Sequence, residues 1–196
     1  EYLVKFKNNI KYNSNEYDYD VAIITALRHP ELESILKLDN NWSSFRLNND
    51  STEYFKVCLR SNEKNINIVA ASAPQMGMVA ATNLTSKMIN NFRPKYVAMS
   101  GIAGGIKGVG NFGDILVADS VFDSGSGKIS TDKDNQKIFL PDYRQIDIDS
   151  DLKEMILSIK GNREFLDDIK SKWPIKSINH QLDLHIGPFA SGAGVI

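Results

Sequence analysis

One cysteine, Cys58, and three histidines are all that this chain has in thiol or imidazole groups. A lone cysteine excludes an internal disulfide framework. His29, His180 and His185 show no metal-ligand spacing with any partner, so no metal is predicted. An excess of one charge is also missing, because 23 basic side chains face 24 acidic ones for a net charge of −1. Nothing in that balance calls for nucleic acid or a membrane surface as a partner. The first residues lack the basic, then apolar, then small pattern of a leader, and a cytoplasmic (cytosolic) location is the expectation. Without secretion, Asn41-Trp-Ser43 and Asn83-Leu-Thr85 carry no weight as glycosylation acceptors. Internal repeats and low-complexity tracts are absent too.

What the chain does have is an ordinary globular balance, with 42% hydrophobic and 24% charged residues over 196 positions. That length suits one domain of ordinary size, or one domain with an arm. Residues 1–19 are polar and without a period, and are read as the arm or linker. The chain opens on Glu rather than Met, so a fragment is expected. Order begins at Asp20 with the apolar run Val21-Ala-Ile-Ile-Thr-Ala-Leu27, predicted to be a strand buried on both faces. Pro30 suits a first helical turn, with Leu32, Ile35 and Leu36 as its apolar stripe. Tyr54–Leu59 and Ile66–Ala71 form a predicted hairpin. The next helix carries Ala80, Leu84 and Met88 on one face and ends at Pro94. Tyr96–Ser100 is predicted as the next buried strand, and Asp114–Asp119 as another.

The polar stretch from Asp123 to Asp142 reads as an excursion or flap. Leu152, Met155, Ile156 and Ile159 repeat at helical spacing, with Ser150 as cap and Gly161 just after the end. Phe165, Leu166 and Ile169 suggest a second helix, closed by Trp173-Pro174. Leu182–Ile186 alternates into the last strand. Strands alternating with helices predict an α/β class and a layered fold around a largely parallel sheet.

Ligands of such sheets gather at the carboxyl ends of the strands. Four of those ends are marked: Thr25-Ala-Leu-Arg-His-Pro-Glu31, Ala73-Pro-Gln-Met-Gly-Met78, Ser100-Gly-Ile-Ala-Gly-Gly105 and Ser191-Gly-Ala-Gly-Val195. Neither the third mark nor "SGSGKIS" matches a dinucleotide or P-loop pattern. Gly101, Gly104 and Gly105 therefore fit either a tight turn or a ligand-facing loop. Glu31 fits a general base, or a first-turn carboxylate favoured by the helix dipole; read by itself the second is the better fit. Arg28 fits a phosphate clamp or a solvated side chain. His29 fits a helix cap. Met76 lies in a marked loop beside Gly77, although it, Met78 and Met88 also suit packing.

Taken in order and spacing, Val21–Leu27, "APQMGMVAA", "FRPKYVAMSGIAGGIKGVGNFGDILVAD" and "GPFASGAGVI" resemble the nucleoside phosphorylase and nucleosidase superfamily. That family includes purine nucleoside phosphorylase, uridine phosphorylase and methylthioadenosine/S-adenosylhomocysteine nucleosidase. The resemblance covers residues 20–196, with the glycine turn before "GDILVAD" its most specific element. It implies a layered α/β/α nucleoside phosphorylase-like domain with a mixed, largely parallel central sheet. The stretches "ALRHPELESIL", "APQMGMVAA" and "SGSGK" are similar to those of a bacterial subgroup in which such a domain follows a receiver domain, and some of its relatives act against phage. Residues 1–19 would then be the interdomain linker.

Residue by residue, the resemblance implies that Glu31 orients the attacking water. Met99 and Ile102 stand where phosphorylases carry the Arg and Ser that hold phosphate, which favours water as nucleophile. Nucleosidases also carry a Ser at the place of Ile102. Met76, Gly77, Gly101, Ile102, Ala103 and Gly104 are candidate substrate contacts, Arg28 a candidate selector of a 5′-phosphate, and Val195 and Ile196 candidates for the base pocket. The family's Met-Glu pair and its leaving-group Asp lie beyond Ile196. The 196 residues are therefore expected to be C-terminally incomplete and catalytically inactive alone, with a strand edge left unpaired.

The activity implied is a purine, specifically adenine, nucleoside or nucleotide nucleosidase. It would hydrolyse the N-glycosidic bond without metal or cofactor and act as a homo-oligomer. A phosphate-dependent phosphorylase and a nucleotide-sensing module without catalysis are the alternatives.

Overall fold

The computed structural model of the chain describes residues 17–60, 64–142, 144–173 and 179–192. The chain divides into two compact units, Glu1–Ile102 and Ala103–Ile196.

The first unit is built on a five-stranded sheet with strand order β2-β3-β4-β1-β5. Its strands are β1 (Tyr19–Thr25), β2 (Ser43–Phe45), β3 (Tyr54–Arg60), β4 (Asn65–Ser72) and β5 (Pro94–Met99). β1 lies between β4 and β5 and is parallel to both, whereas the β2–β3 and β3–β4 pairs are antiparallel. The sheet is thus mixed, with its parallel part centred on the most apolar strand, as expected where both faces are covered.

The period-2 alternation of β1 sends Ala22 and Ile24 to one face. There they meet Ala80, Leu84, Met88 and Phe92, one stripe of helix α2 (Met78–Phe92), together with Tyr54, Val69 and Ala71. The opposite face packs Phe55 and Ala70, with Ile23, against Leu32 and Leu36. Leu32 ends the segment Arg28–Leu32, in which His29 is extended rather than helical, and Leu36 closes α1 (Glu33–Leu36). Helix, sheet, helix is the layering that the alternating pattern implies. Beneath α2, Asp50 accepts from Tyr54 Oη and Lys87 Nζ. These donors hold the Asp50 carboxyl far below its ordinary range, and burial followed by Asp50 pushes the Tyr54 phenol up to about 12.

β5 departs from its prediction. Tyr96, Val97 and Met99 are exposed, because among the described residues of this unit β5 is an edge strand that pairs with β1 alone. An apolar run reports hydrophobicity, not whether a neighbour covers it.

The second unit has β6 (Ile115–Asp123) between β10 (Leu184–Ser191), parallel, and β9 (Ile146–Asp147), antiparallel. The predicted excursion holds a separate antiparallel hairpin, β7 (Gly127–Thr131) and β8 (Lys137–Pro141), and β6 itself runs on to Asp123. Two helices follow, α3 (Ser150–Gly161) and α4 (Arg163–Ser171). The cap of α3 is Asp149 rather than Ser150, and Gly161 is its last residue rather than the one after it. Ser and Asp both cap well, but here Asp149 Oδ1 is the atom that accepts from the N–H groups of Asp151 (2.9 Å) and Leu152 (3.3 Å). Asp149→Ala is expected to destabilise the start of α3 by about 1 kcal/mol. The measurement is faster amide exchange at Asp151 and Leu152, with Asp149→Asn close to wild type.

Candidate active site

Three parallel strands of the first unit end together. Thr25 is in register with Ser72, and Ile24 with Met99. The ladder continues one residue past the strands, since the Ala73 N–H donates to Thr25 O (2.8 Å) and the Ser100 N–H to Ile24 O (2.9 Å). The loops after β1, β4 and β5 therefore leave the sheet from a shared rim, which is where an open α/β sheet places its ligand.

Glu31 sits on that rim. Its Oε2 accepts from the Leu27 N–H at 2.8 Å and its Oε1 from the Ile102 N–H at 3.0 Å. The Leu27 carbonyl is in turn held by the Thr25 hydroxyl (3.0 Å) and the Leu32 N–H (3.2 Å), so the turn that presents the carboxylate is itself braced. A carboxylate offers about four lone-pair sites, so two remain after these bonds. Beside it is a cleft of about 310 Å³, lined by Pro30, Glu31, Ser34, Ile35, Leu38, Ser100, Gly101 and Ile102. Glu31 is the one charged side chain among these lining residues.

The other sequence candidates fall in several places. Gly101 lies against the Glu31 carboxylate, and Ile102, which lines the cleft, is 78% exposed. Arg28 is near the same rim, but its Nη1 pairs with Glu53 Oε2 at 2.6 Å and its guanidinium lies 5.6 Å from the centre of the Phe55 ring. His29 Nδ1 is 2.8 Å from Glu33 Oε2, a contact that holds the Glu33 carboxyl below its ordinary range. Met76 is exposed, and Gly77 precedes α2 with φ of 116°, a conformation that favours glycine. Ala103 and Gly104 belong to the second unit and are exposed. Val195 and Ile196 lie outside the described residues.

Sequence reasoning missed two arrangements. One is the pair of backbone donors on Glu31, of which Ile102 N–H is 71 positions away. The other lies in the second unit, where the Asp114 carboxylate accepts from the N–H groups of Asn111 (2.8 Å) and Asp183 (3.1 Å). It also meets His185 Nε2 at 2.9 Å and His180 Nε2 at 3.3 Å. Burial by itself raises the Asp114 carboxyl, but the two N–H groups and two rings outweigh it and hold it at about 2. No local signal announces such a cluster, because Asp114 and His185 stand 71 positions apart. Among the described residues, no group of three or more His, Cys, Asp and Glu side chains could hold a metal, and no helix is long and apolar enough to cross a membrane.

The sequence profile of the Phosphorylase superfamily matches residues 20–196. The y4jS protein of Sinorhizobium fredii (strain NGR234) is 29% identical over 183 residues, covering 93% of this chain and 44% of that protein. A mutant methylthioadenosine nucleosidase of Helicobacter pylori, solved with 5′-methylthioadenosine in its active site, is similar with a TM-score of 0.59 at 22% identity, over 89% of this chain and 64% of that one. A futalosine hydrolase mutant of H. pylori strain 26695 gives a TM-score of 0.61 at 21% identity, over 92% and 72% of the two chains. At these identities the likeness is one of fold. The chain spans less than half the length of y4jS and under two thirds of the methylthioadenosine nucleosidase.

Proposed function

Because this chain belongs to the Phosphorylase superfamily, matched over residues 20–196, we propose that it is a nucleosidase that hydrolyses the N-glycosidic bond of an adenine nucleoside. The observation that carries this reading is the Glu31 carboxylate, held by two backbone N–H groups at the carboxyl ends of the parallel strands and open to the adjoining cleft. A carboxylate fixed in this way can orient a water molecule and accept its proton, which is the task of a general base. In the proposed step the water oxygen bonds to C1′ of the sugar as the C1′–N bond breaks. One water proton passes to Glu31, the electron pair of the broken bond leaves with the base, and the base takes up a proton. The transition state is oxocarbenium-like, so a carboxylate near the sugar also suits its charge.

Two further observations support water over phosphate and a neutral nucleoside over a nucleotide. Among the described residues the cleft lining has no lysine or arginine, and Ile102 brings an apolar side chain to the place where a phosphate would need donors. Arg28 is already neutralised by Glu53, which removes the evident partner for a 5′-phosphate. The names of the similar structures, a methylthioadenosine nucleosidase and a futalosine hydrolase, agree with hydrolysis. A homo-oligomer, an upstream receiver domain and a role against phage belong to the same proposal and rest on resemblance.

The test incubates the full-length protein with adenosine, 5′-methylthioadenosine and AMP in phosphate-free buffer and follows adenine by chromatography. Adenine and the free sugar are expected, faster from the nucleosides than from AMP. A requirement for inorganic phosphate with a sugar 1-phosphate as product would overturn hydrolysis, and nucleotide binding without base release would overturn catalysis.

A further inference from the structure

We infer that Gly101 is a positioning residue: the Cβ it lacks is the space in which the Glu31 carboxylate sits. The inference rests on the nucleosidase reading of Glu31. A Cβ built on Gly101 would lie 2.6 Å from Glu31 Oε1, 2.9 Å from Cδ and 3.2 Å from Oε2. Contacts below 3.0 Å force something to move, and the question is which group moves.

The backbone on either side of Gly101 is tied to the rim. The Ser100 N–H donates to Ile24 O at 2.9 Å, which continues the β1–β5 ladder, and the Ile102 N–H donates to Glu31 itself. Gly101 does not have a φ in the left-handed region, so alanine meets no backbone strain there. The three nearest atoms all belong to the far end of the Glu31 side chain, which rotates more cheaply than a sheet ladder shifts. The added methyl therefore displaces the carboxylate and spares the fold. To reach an ordinary contact of 3.4 Å from 2.6 Å, Oε1 has to withdraw by about 0.8 Å. Such a withdrawal strains or breaks its bond from Ile102 and turns the free lone pairs away from their bound orientation. A misplacement of about 1 Å is enough to cost on the order of 10²-fold in rate.

Gly104 and Gly105 provide the contrast, because a Cβ on either meets no atom of the described residues of its own unit within 4 Å. The three glycines of "SGIAGG" are therefore not equivalent. Gly101 acts on Glu31, across 70 positions of sequence.

The experiment is a double-variant cycle on adenine release by the full-length protein. Gly101→Ala is expected to lower kcat by about 10- to 100-fold with KM within about twofold and an unchanged melting temperature. Because both changes disable the same group, Gly101→Ala combined with Glu31→Gln is expected to be about as slow as Glu31→Gln by itself. If Glu31→Gln keeps full activity, the reading of Glu31 fails, and this inference with it. If Glu31→Gln is inactive while Gly101→Ala keeps its kcat, or if the two losses add in full, the positioning role alone is overturned. Should Gly101→Ala fail to fold, adding Glu31→Ala removes the atoms that the methyl meets and is expected to restore folding; no restoration would equally overturn the inference.

Discussion

Glu31→Gln is expected to lower kcat by on the order of 10³-fold, with KM changed by less than about threefold. Glutamine keeps the length and shape of the side chain but loses the charge and the basic oxygen that accepts a proton. It also meets a local conflict. Both oxygens of Glu31 accept from backbone N–H groups, those of Leu27 and Ile102. An amide has one oxygen, so its NH₂ must face one of these donors, and the side chain loses a hydrogen bond as well as its orientation. Chemistry and positioning are expected to fail together, whereas KM is expected to move little. Steady-state rates of adenine release check this, and a variant within threefold of wild type would remove Glu31 from the mechanism.

Asp114→Asn is expected to destabilise the second unit by about 1–3 kcal/mol, the range for leaving a buried hydrogen-bonding group without its partner. The Asp114 side chain is 1% exposed; it accepts from the N–H groups of Asn111 and Asp183, and Nε2 of His185 and of His180 lie 2.9 Å and 3.3 Å from its oxygens. An amide would set its own NH₂ among these groups. The contacts join the start of β6 to β10 and to the segment before it, so the parallel β6–β10 pair is the structure expected to loosen. Denaturant unfolding of the variant, read as a lower midpoint, is the measurement.

The same carboxylate makes the unit sensitive to acid, with a definite sign. The Asp114 carboxyl titrates at about 2 in the folded chain, against an ordinary value of 3.8. Between these values the unfolded chain binds more protons, so stability is fully present above pH 4 and declines as pH falls toward 2. In Asp114→Asn this contribution to the acid limb is expected to be missing.

Short-range order was legible wherever a period ran long enough to be counted. The stripe Ala80, Leu84, Met88, the β3–β4 hairpin and the apolar β1 all follow from residues a few positions apart. Resemblance of motifs pointed to the superfamily, and Glu31 was readable as a carboxylate at a strand end. Periodicity could not tell that β5 is an edge within its unit, because exposure depends on which strand arrives beside it. Nor could it choose Asp149 over Ser150, two good caps separated only by where the chain bends.

Composition and periodicity by themselves determined the α/β class, the main elements and the rim at which to look for a site. Only the tertiary structure decided that the glycine at 101 lies against the carboxylate at 31, and that Asp114 gathers His180 and His185. The physical reason is range. Propensity and patterning act over a few residues, whereas the contacts of Glu31 and Asp114 reach across about 70 positions and exist only once sheet register and close packing bring distant backbone within hydrogen-bond distance.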